Sequence, residues 1–325
     1  VYHDDGYGTY LAGQRIAANG TLLDPAPIML MDWIYGATRT IASNGEYLVA
    51  GPDWNSSSTV KARRISAAAQ PLAPAFTIPS LNIAGNGTEY FVTWVPDFVN
   101  LVGSRMTNTG TLLNPAGTLL APNFGQYNAA TLTHDGSQWW LQWGAADTLH
   151  TVRISAAGTV LDPNGGPLLP IAITGTNTFA YKPTLVPAAD GVQLFWHDGR
   201  ASLGADTNVF MLPITSTNTP GIERCISIGT ANQRNPDFAS GPSGSSAVVF
   251  ISEHANDDRV LLHFLDTAGN PTTSEPIEVF RGPTVGKAGI AWNGSIFMVT
   301  WDSGQSGLSP VAIQARRLNA DGSFI

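Results

Sequence analysis

A small set of side chains could transfer protons, and most of them lie in the polar segments between apolar runs. Imidazole and phenol groups exchange protons near neutral pH when their environment tunes them, and a guanidinium offsets the charge of a neighbouring carboxylate. A polysaccharide lyase or glycoside hydrolase would use such groups. The catalytic candidates for that chemistry are His197, His254, Tyr181 and Arg234.

A second chemistry is ligand recognition, because aromatic faces stack on sugar rings while amides, carboxylates and bases bind hydroxyl groups. Non-repeating residues are the better candidates for this role, since a residue that recurs along a chain usually serves the repeated structure. The ligand-binding candidates are Trp33, Tyr35, Trp54, Tyr127, Tyr181, His197, Arg200, Arg234 and His254.

Metal binding is the third chemistry to consider. Imidazole and carboxylate groups in neighbouring loops could ligate a divalent cation such as Ca²⁺. The candidates are His3, Asp4, Asp5, Asp257 and Asp258. No H-x-x-x-H or D-x-D-x-D-G spacing supports such a site, so the sequence predicts no resident cofactor. Serine-hydrolase, P-loop and dinucleotide-binding signatures are also missing from the sequence.

An internal repeat determines where these residues lie. Residues 83–94 (Ile-Ala-Gly-Asn-Gly-Thr-Glu-Tyr-Phe-Val-Thr-Trp) recur as residues 290–301 (Ile-Ala-Trp-Asn-Gly-Ser-Ile-Phe-Met-Val-Thr-Trp), and weaker copies lie between them. The mean period is about 50 residues, which fits one four-stranded unit. The positions equivalent to the last Trp are His3, Gly51, Trp94, Trp143, Trp196, Ile251 and Trp301.

Each repeat predicts four antiparallel strands. Asn-Gly or Asp-Gly between apolar runs marks a hairpin of the first two strands, typical of a type I′ turn with positive φ at both central residues. The third strand ends in Arg followed by an apolar residue, at Arg15, Arg64, Arg105, Arg153 and Arg317. A Gly-Thr-Leu-Leu-Asp-Pro segment, as in 20–25, then opens the fourth strand.

These patterns predict an all-β fold, a seven-bladed β-propeller of four-stranded antiparallel blades, with six or eight blades as alternatives. Second strands such as Tyr90 to Trp94 are apolar on both faces, as expected where each blade packs between two neighbours. We expect one domain over 1–325, with ends that are incomplete or close irregularly. The sequence begins inside a second strand and stops before a fourth.

The loops after the second strands repeat an aspartate, at Asp4, Asp53, Asp97, Asp198 and Asp302. We interpret these carboxylates as turn formers or as partners of the recurring arginines, and the arginines as structural groups. In a propeller these loops and the connections between blades lie on one face around the central channel. The predicted site is on that face.

The combination of Asn/Asp-Gly, an aromatic-x-Val-x-Trp strand, Arg-Ile and Gly-Thr-Leu-Leu-Asp-Pro resembles a repeat of large secreted proteins of myxobacteria and related Gram-negative bacteria. The resemblance covers nearly the whole chain. It implies a propeller on an exported or surface-attached bacterial protein, and no established activity. Two blades depart from the pattern, with Pro213 and His263 in the arginine register and Ile251 in place of Trp.

The amino-acid composition limits the classes of molecule that the chain is expected to bind. The net charge is -8 and 12% of the residues are charged, without a Lys/Arg cluster, so nucleic acid and membrane insertion are not expected. Cys225 is expected to be a buried small apolar residue. The sequence therefore predicts a secreted or cell-surface binding module that recognises carbohydrate or a protein partner. The alternatives are an extracellular polysaccharide lyase or glycoside hydrolase, and an architectural spacer.

Overall fold

The computed structural model describes residues 2–4, 9–17, 19–32, 34, 39–43, 45–56, 59–124, 130–145, 148–163, 181–198, 207–227, 231–303 and 312–325. Over these residues the chain forms seven antiparallel sheets of three or four strands and no α-helix, which confirms the all-β prediction. No helix in the described part of the chain is long and apolar enough to cross a membrane.

The residues fall into two compact units, which are described separately. Unit 1 comprises Val1–Tyr127, Leu132–Trp139 and Ile154–Pro163, and unit 2 comprises Asn128–Thr131, Trp140–Arg153 and Asn164–Ile325. Unit 1 contains the first three sheets. Sheet 1 has β1 (Tyr2–Asp4), β2 (Thr9–Gly13) and β3 (Ile28–Asp32). Sheet 2 has β4 (Arg39–Ser43), β5 (Glu46–Pro52), β6 (Val60–Ser66) and β7 (Phe76–Ile78). Sheet 3 has β8 (Ile83–Gly85), β9 (Tyr90–Trp94), β10 (Leu101–Met106) and β11 (Thr118–Ala121).

The fourth sheet contributes residues to both units, and the last three sheets belong to unit 2. Sheet 4 has β12 (Ala130–His134), β13 (Gln138–Ala145) and β14 (Thr148–Ser155), and sheet 5 has β15 (Tyr181–Pro187), β16 (Val192–Asp198), β17 (Asn208–Ile214) and β18 (Arg224–Cys225). Sheet 6 has β19 (Asn232–Ser240), β20 (Ser246–Glu253), β21 (Asp258–Leu265) and β22 (Ile277–Gly282). Sheet 7 has β23 (Val285–Trp292), β24 (Phe297–Ser303) and β25 (Ala312–Leu318). A short 3-10 turn, Pro242–Gly244, joins β19 to β20.

The predicted hairpins are present, but several use a different turn. In the turn between β8 and β9, Gly87 has a φ of 94° and Thr88 is not among the residues with positive φ. One positive φ at the first central position is the pattern of a type II′ turn rather than type I′. The side chain of Asn86 explains the choice, because its Oδ1 accepts the backbone N–H groups of Thr88 and Glu89 at 2.9 Å.

A tight turn follows the third strand of sheets 2–7, and the same turn follows β2 in sheet 1. In sheet 3 the N–H of Gly110 bonds to the carbonyl of Thr107, the N–H of Thr107 bonds to that of Thr111, and the N–H of Leu113 bonds to that of Arg105. Among the described residues, the same bridge between an apolar residue and the residue six positions later occurs seven times: Ile16 with Leu22, Ile65 with Pro71, Met106 with Leu112, Ile154 with Val160, Ile214 with Pro220, Leu265 with Pro271 and Leu318 with Phe324.

This turn corrects the predicted register of sheet 6. The bridging residue there is Leu265, and the carbonyl of Phe264 accepts the N–H of Thr272 as the arginine carbonyls do elsewhere. Phe264, not His263, therefore occupies the arginine position. Since successive residues of a strand point to opposite faces, the shift by one residue moves His263 onto a buried face.

Apolar clusters fill the space between consecutive sheets within each unit. In unit 1, Leu48 and Ala62 of sheet 2 pack with Tyr90 and Val92 of sheet 3. The opposite face of β9 is buried as well, because the ring of Phe91 lies 5.5 Å from that of Trp139. Second strands apolar on both faces are thus packed on both faces, as predicted.

Three of the recurring arginines pair with carboxylates of the fold, as the predicted structural role requires, although these carboxylates are not the predicted partners. Arg64 and Arg105 make paired hydrogen bonds of 2.7–2.9 Å to Glu46 and Glu89, which precede or begin the adjacent second strand. Arg15 pairs with Asp24 in the following turn, at 2.6 Å. This pairing, with a backbone hydrogen bond from Arg15, lowers the pKa of Asp24.

Two glycines with positive φ give a matched stability test. Gly110 has a φ of 91°, and a Cβ there would lie 2.3 Å from the ring of Phe76. Gly87 has a φ of 94° with no atom within 4 Å of an added Cβ. We expect Gly87→Ala to cost about 1 kcal/mol from backbone strain, and Gly110→Ala about 1–3 kcal/mol more because the ring must move. Urea unfolding measures both losses of unfolding free energy. Equal losses would show that the ring of Phe76 moves without a penalty in stability.

Candidate ligand-binding sites at the loop ends of the sheets

The strand register shows which loops lie together. In sheet 2, Val60 pairs with Ile78, so β6 begins where β7 ends. The loop after β5 and the connection from β7 to β8 therefore lie at the same end. Because β8 starts from that connection and β9 runs antiparallel to it, the loop after β9 lies at that end as well. We call this the loop end of a sheet, and the opposite end, which carries the hairpins of the first two strands, the turn end.

Trp54 lies at the loop end of sheet 2 and exposes 50% of its surface. The preceding Asp53 makes an isolated bridge to Ile34, and its Oδ1 accepts the N–H of Asn55 at 3.0 Å. Lys61 lies 3.0 Å from the same carboxylate. The hydrogen bond from Asn55, followed by the interactions with Lys61, lowers the pKa of Asp53. Asp53 is thus a turn former, one of the two roles expected for it.

Phe98 lies in the equivalent loop of sheet 3 and exposes 70% of its surface. Its φ is 61°, in the left-handed region that bulky residues seldom adopt. The neighbouring Asp97 holds this conformation, because its Oδ1 accepts the N–H groups of Val99 at 3.0 Å and Asn100 at 2.7 Å. These bonds lower the pKa of the Asp97 carboxyl, first through Asn100 and then through Val99.

Phe98 was not among the residues predicted from the sequence. A backbone conformation of this kind costs about 1–3 kcal/mol and persists only where its surroundings impose it. The side-chain amide of Asn100 adds a further bond to Asp97 Oδ2 at 2.7 Å. The loop is therefore built to expose an aromatic ring. The available sequence signal was the position of Phe98 directly after the recurring aspartate.

Arg234 is the most extensively bonded of the predicted site residues that the structure describes. It lies in β19, where its Nε bonds to Glu253. The guanidinium also donates to the carbonyls of Val285 at 2.6 Å and Gly286 at 3.0 Å. Since Val285 begins β23, Arg234 joins sheet 6 to sheet 7 within unit 2. Its side-chain donors serve the fold at this position.

The two predicted metal ligands of sheet 6 also have protein partners. Asp258 accepts the backbone N–H of Val285 at 2.7 Å. Asp257 lies 3.7 Å from Arg259 and 3.5 Å from Arg281. Over the described residues, no group of three or more His, Cys, Asp or Glu side chains is arranged to hold a metal ion.

The remaining predicted site residues lie on sheets 1, 5 and 6 or outside the described part of the chain. His254 lies in the loop after β20, with a ring nitrogen 3.2 Å from the Ser252 hydroxyl. Tyr181 and His197 are directly paired neighbours on β15 and β16, and their side chains fall outside the described part. The backbones of His3 and Asp4 belong to β1, and their side chains are likewise not described. Lying outside the described residues altogether are Asp5, Trp33, Tyr35, Tyr127 and Arg200.

Comparison with known proteins addresses the fold. No known protein family and no curated protein matches the chain. Among solved structures, a prolyl endopeptidase matches with a TM-score of 0.56 at 15% identity, over 92% of this chain and 42% of its own. A candidate 6-phosphogluconolactonase of Bacteroides fragilis matches with a TM-score of 0.52 at 13% identity, over 100% of this chain and 96% of its own.

Prolyl oligopeptidase B of Galerina marginata gives a third match, with a TM-score of 0.51 at 13% identity, over 87% of this chain and 39% of its own. The chain has a β-propeller-like fold. It spans about two fifths of the length of the prolyl endopeptidase that it matches. At these identities the likeness concerns the β-propeller-like fold alone.

The bonds of Arg234 predict a stability effect in this β-propeller-like chain. Arg234→Ala removes a donor from Glu253 and from the carbonyls of Val285 and Gly286. Glu253 and Gly286 each keep one side-chain amide donor, so we expect a loss of about 1–3 kcal/mol. Arg281→Ala is the control, because Arg281 pairs at 2.8 Å with the exposed Glu278 and such a pair contributes less than about 1 kcal/mol. Chemical unfolding compares the two variants. Equal losses would contradict a structural role particular to Arg234.

Proposed function

We propose that the chain is a binding module that recognises carbohydrate through the aromatic loop pair, Trp54 and Phe98. The observation that carries the proposal is that both rings are exposed, at 50% and 70%, on hydrogen-bonded loops at the same end of adjacent sheets. An exposed aromatic ring on an ordered loop loses little conformational entropy when a ligand binds. The energy of contact is then available for affinity.

Carbohydrate suits this pair better than an anionic partner. Sugar rings present C–H faces that stack on aromatic rings and hydroxyl groups that bond to carboxylates and amides. Asp53 and Asn55 flank Trp54, and Asp97 and Asn100 lie beside Phe98. The net charge of -8 repels nucleic acid and acidic polymers. A protein partner is the other outcome that the binding test distinguishes.

The proposal extends to architecture and location. We infer that the seven sheets are the blades of a seven-bladed propeller, supported by the bridged turn that recurs once beside each of the seven sheets. We also infer a secreted or surface-attached parent protein, supported by the resemblance of the repeat. The aromatic loop pair would then face outward from a rigid repeated scaffold, where loops commonly carry function.

A binding role also agrees with the bonds of Arg234. In the lyase or hydrolase alternative this residue would offset the charge of a substrate carboxylate beside His197, His254 and Tyr181. Its guanidinium instead donates to Glu253 and to the carbonyls of Val285 and Gly286. An arginine with these bonds contributes to the packing of sheets 6 and 7. We therefore place recognition on the aromatic loop pair.

The direct test is a glycan array with the wild-type chain and single variants. We expect a neutral oligosaccharide to bind, and Trp54→Ala and Phe98→Ala each to weaken binding about five- to tenfold through loss of stacking. Tyr47→Ala is the matched control, because Tyr47 is an exposed aromatic at the turn end of sheet 2. Its binding should equal that of the wild type.

Two outcomes would contradict the carbohydrate proposal. One is an array without any bound glycan while a purified protein partner binds and loses affinity in Trp54→Ala and Phe98→Ala, which assigns the aromatic loop pair to a protein. The other is glycan binding that both variants retain, which places the glycan elsewhere.

The pH dependence of ligand binding distinguishes the aromatic loop pair from a site that depends on a charged histidine. The pKa of Asp97 is lowered in the folded chain. The stability that its carboxylate contributes to the Phe98 loop is therefore present above the ordinary aspartate pKa, and it is lost only as pH falls through the lowered value. Binding should therefore change little between about pH 8 and pH 5, whereas a site that depends on a histidine charge would titrate within this window. Isothermal titration across the range measures this. Asp97→Ala, which frees the Phe98 loop, should weaken binding at every pH.

A further inference from the structure

Sheet 7 differs from the other sheets along its third strand, β25. The tight turn gives all sheets a common reference, because one apolar residue forms the isolated bridge beside each of them, and in sheet 7 it is Leu318. The residues five, four and three positions before it are Ile313, Gln314 and Ala315. All three are exposed, Ile313 by 63%. None of the equivalent residues in the other sheets is exposed: 11–13, 60–62, 101–103, 149–151, 209–211 and 260–262.

A further strand covers these positions in five of the sheets as the structure describes them. It follows the tight turn, and we call it the outer strand of its sheet. In sheet 2, Val60, Lys61 and Ala62 pair with the outer strand β7. The equivalent residues of sheets 1, 3, 5 and 6 pair with β3, β11, β18 and β22. Over the described residues β25 pairs with β24 alone, so it presents an open edge where these sheets have their outer strand.

The backbone of β25 is oriented to bond to a further strand. The carbonyl of Arg317 points away from β24, because it accepts the N–H of Ile325 in the tight turn at 3.1 Å. The register between β24 and β25 has no shift, so the backbone groups of successive residues alternate between the two sides of the strand. The N–H and C=O groups of Ile313 and Ala315 therefore also point away from β24, whereas those of Gln314 point toward it.

The outer strands of the other sheets define the side chains that such an edge fits. The third residue of each outer segment is aliphatic: Leu30, Ile78, Leu120, Ile226 and Val279. All but Leu30 are exposed by 4% or less. Val279 shows where this side chain goes, because it packs in one apolar cluster with Val299 and Trp301 of the following sheet. A strand that completes sheet 7 in the same way needs an aliphatic residue at its third position.

We propose that the open edge of β25 binds an extended segment of another polypeptide as the outer strand of sheet 7. The segment runs antiparallel to β25, bonds to the backbone groups of Ile313 and Ala315, and carries an aliphatic residue at its third position. Added strands of this kind gain affinity from main-chain hydrogen bonds and specificity from alternate side chains. The site consists of sheet 7 residues and does not depend on the aromatic loop pair.

A second copy of β25 fits this edge less well than a strand of that pattern. Its third position would carry the short side chain of Ala315, and Arg316 and Arg317 follow directly. Two β25 strands side by side would place four guanidinium groups along one pair of strands, and like charges on paired strands are destabilising. Open edges nevertheless favour association between copies, so the test includes a measurement of self-association.

The probe is a labelled peptide with the sequence of residues 271–282, which contains the outer strand β22. We expect it to bind the wild-type chain saturably in fluorescence polarisation. The same peptide with Val279→Asp should bind at least tenfold more weakly, because a charge replaces the aliphatic third residue.

A variant of the chain tests the edge itself. Ala315→Pro removes an N–H that points away from β24 and should weaken peptide binding at least tenfold. Proline is tolerated in a strand where its nitrogen faces away from the partner strand, and Pro213 occupies such a position in the third strand of sheet 5. Ala315→Ser is the matched control, because it keeps the N–H, and its binding should equal that of the wild type.

Amide hydrogen exchange on the wild-type chain guards against a misfolded variant. The N–H groups of Ile313 and Ala315 should exchange rapidly in the free chain and at least tenfold more slowly with the peptide, whereas that of Gln314 should be slow in both. Absence of saturable binding, or equal binding by Ala315→Pro and the wild type, would overturn the proposal. A wild-type dimer in sedimentation that Ala315→Pro converts into a monomer would also overturn it and assign the edge to a second copy. Trp54→Ala should retain peptide binding, so failure here and failure of the glycan test are distinguishable.

Discussion

Burial of both faces of a sheet between its neighbours, as in sheets 3, 5 and 6, is the constraint on which the structure depends. A second strand with one solvent-exposed face would alternate apolar and polar residues. In β9, by contrast, Tyr90 and Val92 lie on one side and Phe91 on the other, and all three side chains are buried. Each residue of such a strand contributes to one of two cores. The same packing fixes the register, because a slip by one residue would exchange the two faces. The loops therefore have a stable base and can vary in sequence.

Several elements of this arrangement follow from the sequence. The Asn-Gly and Asp-Gly pairs located the hairpins, and the arginine followed by an apolar residue located the end of the third strand at Arg64 and Arg105. Turn type was less predictable, because the Asn86 side chain competes for the backbone donors that would otherwise define the turn. The register of sheet 6 also escaped prediction, since His263 was placed by motif alignment, whereas hydrogen bonding aligns Phe264 with the arginines.

The candidate sites were harder to predict than the fold, for physical reasons. Trp54 could be selected because a tryptophan after a strand is conspicuous in sequence. The importance of Phe98 depends on its φ of 61° and on three hydrogen bonds to Asp97, none of which composition reveals. Arg234 had the residue type of a site, and its four protein partners became visible only in three dimensions.

A crystal structure of the chain soaked with neutral oligosaccharides would show whether ligand binds on the aromatic loop pair. We expect a sugar ring stacked on Trp54 or Phe98, with hydroxyl groups bonded to the amides or carboxylates beside them. A sugar held instead at the loop end of sheets 5 and 6, between His197, His254 and Tyr181, would contradict it and favour a catalytic role for those residues.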